Sequence, residues 1–275
     1  MELMENFTMS IEITYLEEIK RKAVHLSSLW MVAATLLFPY FFPEYGRWIS
    51  CGVFAALLVL TLVSEHDYAN NGPYLGKLYG ILFGKMLRKE VKPGMWIVSG
   101  GSFVLAAALL VNLLFKPYIA APSLAVMLTA DAAAALIGRK FGRHKAPNGK
   151  SWEGVAAFIL VGYGALAAVL AIAGAPAGFF VAAIPAVILA AAVELFEKQL
   201  RLDDNFSIPL CIGAVLFAAS FLPCMQESRA EKFQRQIKKN QTAVESASDK
   251  ISDAADSAVD DVSKSIKKGW KNLTD

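Results

Sequence analysis

The stretch "YIAAPSLAVMLTADAAAALI", Tyr118–Ile137, runs for twenty residues and carries one charge, Asp131. At about 1.5 Å per residue such a run covers the roughly 30 Å hydrocarbon core of a bilayer. It lacks the alternating apolar and polar order of a barrel strand. Backbone groups in lipid are satisfied only within helices or closed barrels. The stretch therefore predicts a membrane-spanning helix with an acid inside it. Six further apolar runs follow the same reading: Leu26–Phe42, Trp48–Val63, Trp96–Phe115, Val155–Gly174, Phe179–Phe196 and Phe206–Cys224. The expected fold class is all-α, a polytopic helical membrane protein with about seven transmembrane helices. Composition agrees: of 275 residues 56% are hydrophobic and 19% charged, with a mean hydropathy of +0.45. An ordinary soluble globular domain does not have that balance.

Three segments are expected: an N-terminal cytoplasmic or interfacial helix over 1–22, a membrane-embedded catalytic domain over 23–225, and a polar tail over 226–275. The first residues are acidic and lack an early apolar core, which argues against a cleaved signal peptide. Thr14-Tyr-Leu-Glu17 fits a capping box, so a helix is expected to start there and run into the first span. "GPYLGKLYGILFGKMLRKE", Gly72–Glu90, reads as an interfacial amphipathic helix. In the tail, Val244, Ile251, Ala258, Val262, Ile266 and Trp270 recur near helical spacing. Composition equally allows a solvated, disordered tail. Cys51, Cys211 and Cys224 show no metal or disulfide spacing and read as packing side chains.

Around the spans, Lys and Arg cluster in three places: Lys20–Lys22; Lys77, Lys85, Arg88, Lys89 and Lys92; and Arg139, Lys140, Arg143, Lys145 and Lys150. The connections around Pro43–Arg47, Lys116–Pro117 and Ala175–Gly178 are short and nearly uncharged. Seven spans put all three clusters on one side, and positive loops stay cytoplasmic. The expected protein is multi-pass, in a bacterial inner membrane or an equivalent endomembrane, with its charged chemistry facing the cytoplasm.

Acids at membrane depth are costly, so Asp131 is a functional candidate. It opens the segment "DAAAALIGRKFGRHKAPNGKSWEG". Gly138 lies seven residues on, on the same helix face, and Gly142 continues the row. The following loop offers Arg143, Lys145 and Lys150, with Ser151 beside the next helix start. Backbone N–H groups and nearby cations there suit phosphate. No Walker pattern is present. Mg²⁺ commonly takes one or two carboxylates plus substrate phosphates. Asp131 and Glu153 beside a basic, Gly-rich loop fit that chemistry. A second polar knot is "VELFEKQLRLDDNFSIP". There Glu194, Glu197 and Arg201 are expected on one helix face. Asp203, Asp204 and Asn205 read either as a turn and N-cap or as further carboxylates for a metal or a base. In a third, Glu65, His66 and Asp67 read as the interfacial end of the second span.

The blocks "KRKAVHL", "LTADAAAALIGRKFGRHKAPNGKSWEG" and "VELFEKQLRLDDNFSIPL" come in an order that resembles one family. This is the CTP-dependent lipid kinase family, comprising dolichol kinase, phytol kinase and yeast-type diacylglycerol kinase. Its bacterial members are often called phosphatidate cytidylyltransferase-like. The resemblance spans about Lys20 to Pro223 and excludes the tail. It implies transfer of the γ-phosphate of CTP to the hydroxyl of a membrane lipid alcohol, with Mg²⁺ or another divalent cation. Arg21 and Lys22 match the family's basic pair. Asp131, Gly138, Gly142, Lys150, Ser151, Glu153 and Gly154 match its CTP-binding block. Glu194, Asp204, Asn205 and Pro209 match its last block. One departure is visible: the family carries Gly directly before the Asp, and this chain has Ala130. The implied catalytic residues are Asp131, Asp204, Glu194 and Lys22. Asp131, Glu153 and Asp204 are the implied metal ligands. CTP, a lipid alcohol and the bilayer are the expected partners, with a homo-oligomer or a tail-bound partner allowed and no nucleic acid. The competing readings are cytidylyl transfer from CTP to phosphatidate and a non-enzymatic transporter or scaffold.

Overall fold

A computed structural model describes residues 15–84, 98–146, 148–222 and 244–265. These residues form helices, with one isolated bridge between Lys145 and Ser151. The chain divides into two compact units, Met1–Met225 and Gln226–Asp275.

In the first unit, α1 (Tyr15–Ser27) and α2 (Trp30–Phe41) follow one another through a tight turn. There Ser28 N–H donates to the His25 carbonyl and Leu29 N–H to the Leu26 carbonyl, an i→i+3 pattern that tightens the chain. Together they make one apolar span, Tyr15–Phe41. Then come α3 (Gly46–Ala69), α4 (Leu75–Phe83), α5 (Gly100–Leu114) and α6 (Pro117–Phe141). They are followed by α7 (Trp152–Ile172), α8 (Gly178–Leu195), the single turn α9 (Glu197–Leu200) and α10 (Asp204–Ala219). Tyr15–Phe41, α3, α6, α7 and α8 are each long and apolar enough to cross a membrane, and α5 and α10 are shorter apolar helices. The protein is an all-α helical membrane protein.

The structure moves several boundaries. The second apolar run extends into α3 as far as Ala69, which brings Glu65, His66 and Asp67 into the helix. The third starts later, because the Ser99 hydroxyl accepts from Gly101 N–H and Ser102 N–H and caps α5 there. α4 supplies the middle of the interfacial helix expected over Gly72–Glu90, and residues 85–90 lie outside the described residues. Thr14, the capping-box residue, also lies outside them. The expectation that Glu194, Glu197 and Arg201 share one face is corrected. α8 ends at Leu195, and Arg201 takes a left-handed φ of 54° after α9, so these residues are not on one continuous helix.

The core is built around α6, which packs against α7, α10, α2, α1 and α5. Fourteen of its residues are buried, from Ile119 to Ala134. Its many alanines let neighbouring backbones come close, which is how helices associate without a hydrophobic driving force between them. Outer helices expose large apolar side chains such as Leu160, Val181, Ile188 and Val59. In a bilayer those faces meet lipid.

In the second unit, residues 244–265 are helical and almost wholly exposed. Val244, Ile251, Ala258 and Val262 fall within that helix; Ile266 and Trp270 lie outside the described residues.

Candidate functional site

Asp131 is 4% exposed on α6 and forms an ion pair with Lys22 of α1, itself 3% exposed. The His25 ring, one turn further along α1, has Nε2 3.5 Å from the same Asp131 oxygen and 3.3 Å from the Met127 carbonyl. A lysine and an aspartate enclosed among helices each carry a large desolvation cost, which their pairing offsets. α1 and α6 bring the two together although they are 109 residues apart in sequence. Arg21 pairs with Glu18 one turn back, and Arg139 at the end of α6 lies 3.7 Å from Glu18. The start of α1 and the end of α6 therefore form one charged face.

A second knot joins the loop after α6 to the end of α8. Lys150 Nζ donates to Glu194 Oε1 at 2.7 Å, to the Glu194 carbonyl at 2.5 Å and to Glu197 Oε2 at 3.3 Å. Asn148 Nδ2 donates to the Leu195 carbonyl at 2.9 Å. Burial alone would lower the Lys150 pKa, but the charges of Glu194, Glu197 and Asp204 outweigh it and hold the ammonium above its ordinary range. Asp204 in turn lies within Coulombic range of Asp131 and Lys22. The two knots are thus electrostatically joined through Asp204.

The loop itself is a small folded clip. Ala146 N–H donates to the Lys150 carbonyl, and Trp152 N–H to the His144 carbonyl. Gly149 turns the clip at a φ of 77°, a conformation open to glycine. Glu153 is engaged within the clip, accepting from His144 N–H at 3.1 Å and lying 2.7 Å from His144 Nδ1. Ser151 caps α7 by accepting from Gly154 N–H at 3.2 Å. Gly138, Gly142 and Gly154 surround that cap. A Cβ on Gly138 would come 2.9 Å from Ser151 Oγ, and one on Gly154 3.0 Å from the Ala134 carbonyl. These glycines, which the resemblance places in the CTP-binding block, permit close packing of α6 on α7.

Asp203 caps α10, accepting from Asn205 N–H at 3.0 Å, as its place before the helix suggested. The adjacent Asp204 carboxylate accepts from the same N–H at 2.9 Å and has no cation partner within 4 Å among the described residues.

A cavity of about 670 Å³ opens beside these groups. Arg21, Lys22, His25, Lys198, Arg201 and Asn205 line its polar part. Met31, Phe83, Val98, Phe103, Val104 and Leu105 line its apolar part along α2, α4 and α5. Glu65 secures one wall. Fully buried on α3, it accepts from Tyr79 Oη at 3.1 Å, Ser99 N–H at 3.3 Å and Ser102 Oγ at 2.9 Å. Burial pushes the Tyr79 phenol up, and the charge of Glu65 adds to the shift. Glu65 reads in the sequence as an interfacial helix end. Its partners lie 14, 34 and 37 residues on, so sequence spacing gives no cue to its burial. Arg201 reads in the sequence as part of one helix face with Glu194 and Glu197, and its place on the cavity beside Lys198 needs α1 and α5.

Among the described residues, no group of three or more His, Cys, Asp or Glu side chains is arranged to hold a metal by itself. A nucleotide-borne Mg²⁺ asks less, one or two carboxylates beside phosphate oxygens and water. Of the three carboxylates, Asp131 is paired with Lys22 and Glu153 with His144, while Asp204 has no cation within 4 Å among the described residues.

The fold and this site define an all-α helical membrane protein with a charged cluster enclosed between its helices. No family model and no solved structure matches the chain. It is 30% identical over 206 residues to the protein named "Uncharacterized protein RP860" of Rickettsia prowazekii (strain Madrid E), a match covering 73% of this chain and 94% of the relative. The chain belongs to the family of that protein.

Proposed function

We propose that the protein is a CTP-dependent kinase that phosphorylates the hydroxyl of a membrane lipid alcohol, such as a polyprenol, a phytol-like alcohol or a diacylglycerol. The observation that carries this reading is the cavity of about 670 Å³, apolar along α2 and α5 and bordered at its polar part by Lys22, the partner of Asp131. A lipid alcohol has those two parts. The order of the three sequence blocks supplies the nucleotide.

Phosphoryl transfer asks for positioning and charge neutralisation more than for covalent help. The alcohol oxygen bonds to the γ-phosphorus as the bond to the CDP oxygen breaks, and the hydroxyl proton leaves to a carboxylate. Lys22, oriented by Asp131, faces the negative charge on the transferring group. Asp204, free of a cation partner among the described residues, is the carboxylate suited to the proton. Asp131, together with phosphate oxygens and water, would hold Mg²⁺, which when bound would neutralise phosphate charge. Lys150 acts from the clip, fixing it to the end of α8 beside Glu194. The shared face of Lys20–Lys22 and Arg139–Lys145 supports a cytoplasmic site under the positive-inside rule.

The test uses the full chain in liposomes with γ-labelled or α-labelled CTP and candidate alcohols. Label from the γ position on the lipid, lost in Asp131→Asn and Lys22→Met, is the expected result. Label from the α position with pyrophosphate release would identify cytidylyl transfer instead. No lipid labelling from either position would sink the kinase reading.

A further inference from the structure

The cavity carries more positive charge than a neutral alcohol needs. Four cations line it: Arg21, Lys22, Lys198 and Arg201. Glu18 answers Arg21, and Asp131 answers Lys22. Lys198 and Arg201 have no carboxylate within 4 Å among the described residues. The two acids on the lining are engaged elsewhere, Glu197 with Lys150 at 3.3 Å and Asp203 with Asn205 Nδ2 at 2.8 Å. Arg201 also holds a left-handed φ of 54°, an uncommon conformation for a residue with a Cβ. Such outliers persist where the surrounding structure imposes them, often at ligand sites. The capped N-terminus of α5 at Gly100 and Gly101 borders the same space, and its dipole favours an anion too.

An apolar trough with two cations that have no carboxylate within 4 Å among the described residues fits a lipid that ends in a phosphate. We infer that the cavity is a receptor for a lipid phosphate monoester and holds it more tightly than the matching alcohol. Naming that ester as the product rests on the kinase reading. On that reading, retained product competes with incoming alcohol, and the enzyme is restrained by what it makes. The phosphate meets Lys198 and Arg201 through charge-assisted hydrogen bonds, and the guanidinium offers two parallel donors to it. The chain lies along Phe103, Val104 and Leu105. The volume is that of an ordinary ligand site, so the cavity takes the head and first part of the lipid, and the rest extends into the bilayer.

The experiment measures binding to the full chain in detergent by native mass spectrometry and calorimetry. Its probes are farnesyl monophosphate against farnesol, and dioctanoyl phosphatidic acid against dioctanoylglycerol. Inorganic phosphate and CTP serve as competitors. At least one monoester is expected to bind about tenfold or more tighter than its alcohol, as charge-assisted bonds allow. Lys198→Gln and Arg201→Gln should each lower its affinity several-fold and leave the alcohol's unchanged. Arg201→Lys keeps the charge and loses the paired donors, so it should bind more tightly than Arg201→Gln and less tightly than the native chain, which separates loss of charge from loss of fold. Equal affinity for ester and alcohol in both pairs would overturn the inference. So would displacement of the ester by inorganic phosphate or CTP at its own concentration, because the cations would then serve free phosphate or the nucleotide. A chain that binds the ester but moves no γ-label keeps this inference and loses the kinase reading. A chain that moves γ-label but binds both lipids equally does the reverse.

Discussion

Asp131 and Lys22 are each almost completely buried, and each is the other's answer. Removing one partner leaves an uncompensated charge among helices. Asp131→Asn should therefore destabilise the unit by about 3–5 kcal/mol, read as loss of unfolding temperature in detergent. Replacing both with apolar residues of similar volume, Lys22→Met with Asp131→Leu, should recover most of that loss while activity stays absent. If the double variant is no more stable than Asp131→Asn, the pair is not what the single change disturbs. The sequence made Asp131 legible, because an acid inside an apolar run is conspicuous. It did not identify Lys22 as its partner, since a lysine in a basic cluster at a helix start reads as a topology signal. Only the crossing of α1 over α6 brings them together.

At the scale of elements, the contact between α6 and α7 depends on residues without bulk. Gly154→Ala would push a Cβ to 3.0 Å from the Ala134 carbonyl, a group that cannot swing aside. A cost of about 1–3 kcal/mol is expected from such overpacking. Gly164→Ala, in the same helix with nothing within 4 Å, should be neutral or slightly stabilising, by up to about 1 kcal/mol. Equal effects at the two positions would contradict close packing at Gly154. The clip after α6 is held by Lys150 on Glu194 and Glu197. A cation whose pKa is raised on folding stabilises below its ordinary value and loses that contribution as pH rises through the raised one. The stability difference between the native chain and Lys150→Met should hold steady from pH 7 to the ordinary lysine value of 10.5 and shrink above it. A difference that shrinks between pH 8 and 10 would show that the carboxylates do not hold the ammonium.

For the whole molecule, every described residue of the apolar core belongs to Met1–Met225. Deleting 226–275 should leave the unfolding temperature of the membrane unit unchanged, as measured by fluorescence-detected size exclusion after a heating series. A drop would mean that the tail supports that unit. The exposed helix over 244–265 bears six acids and two lysines, so it adds charge rather than core. What the sequence by itself determined is the helical membrane class and the order of its apolar helices, because lipid admits so few ways to satisfy a backbone. It also flagged Asp131, Glu194 and the Asp203–Asn205 turn, because polar groups stand out where apolar ones are required. The tertiary structure alone decided which charges meet and which remain open. Glu153 turns to His144, Lys150 to Glu194 and Lys22 to Asp131, while Lys198 and Arg201 face a cavity. Partner choice among charges depends on distances of a few ångströms between helices far apart in the chain, and sequence spacing carries no record of those distances.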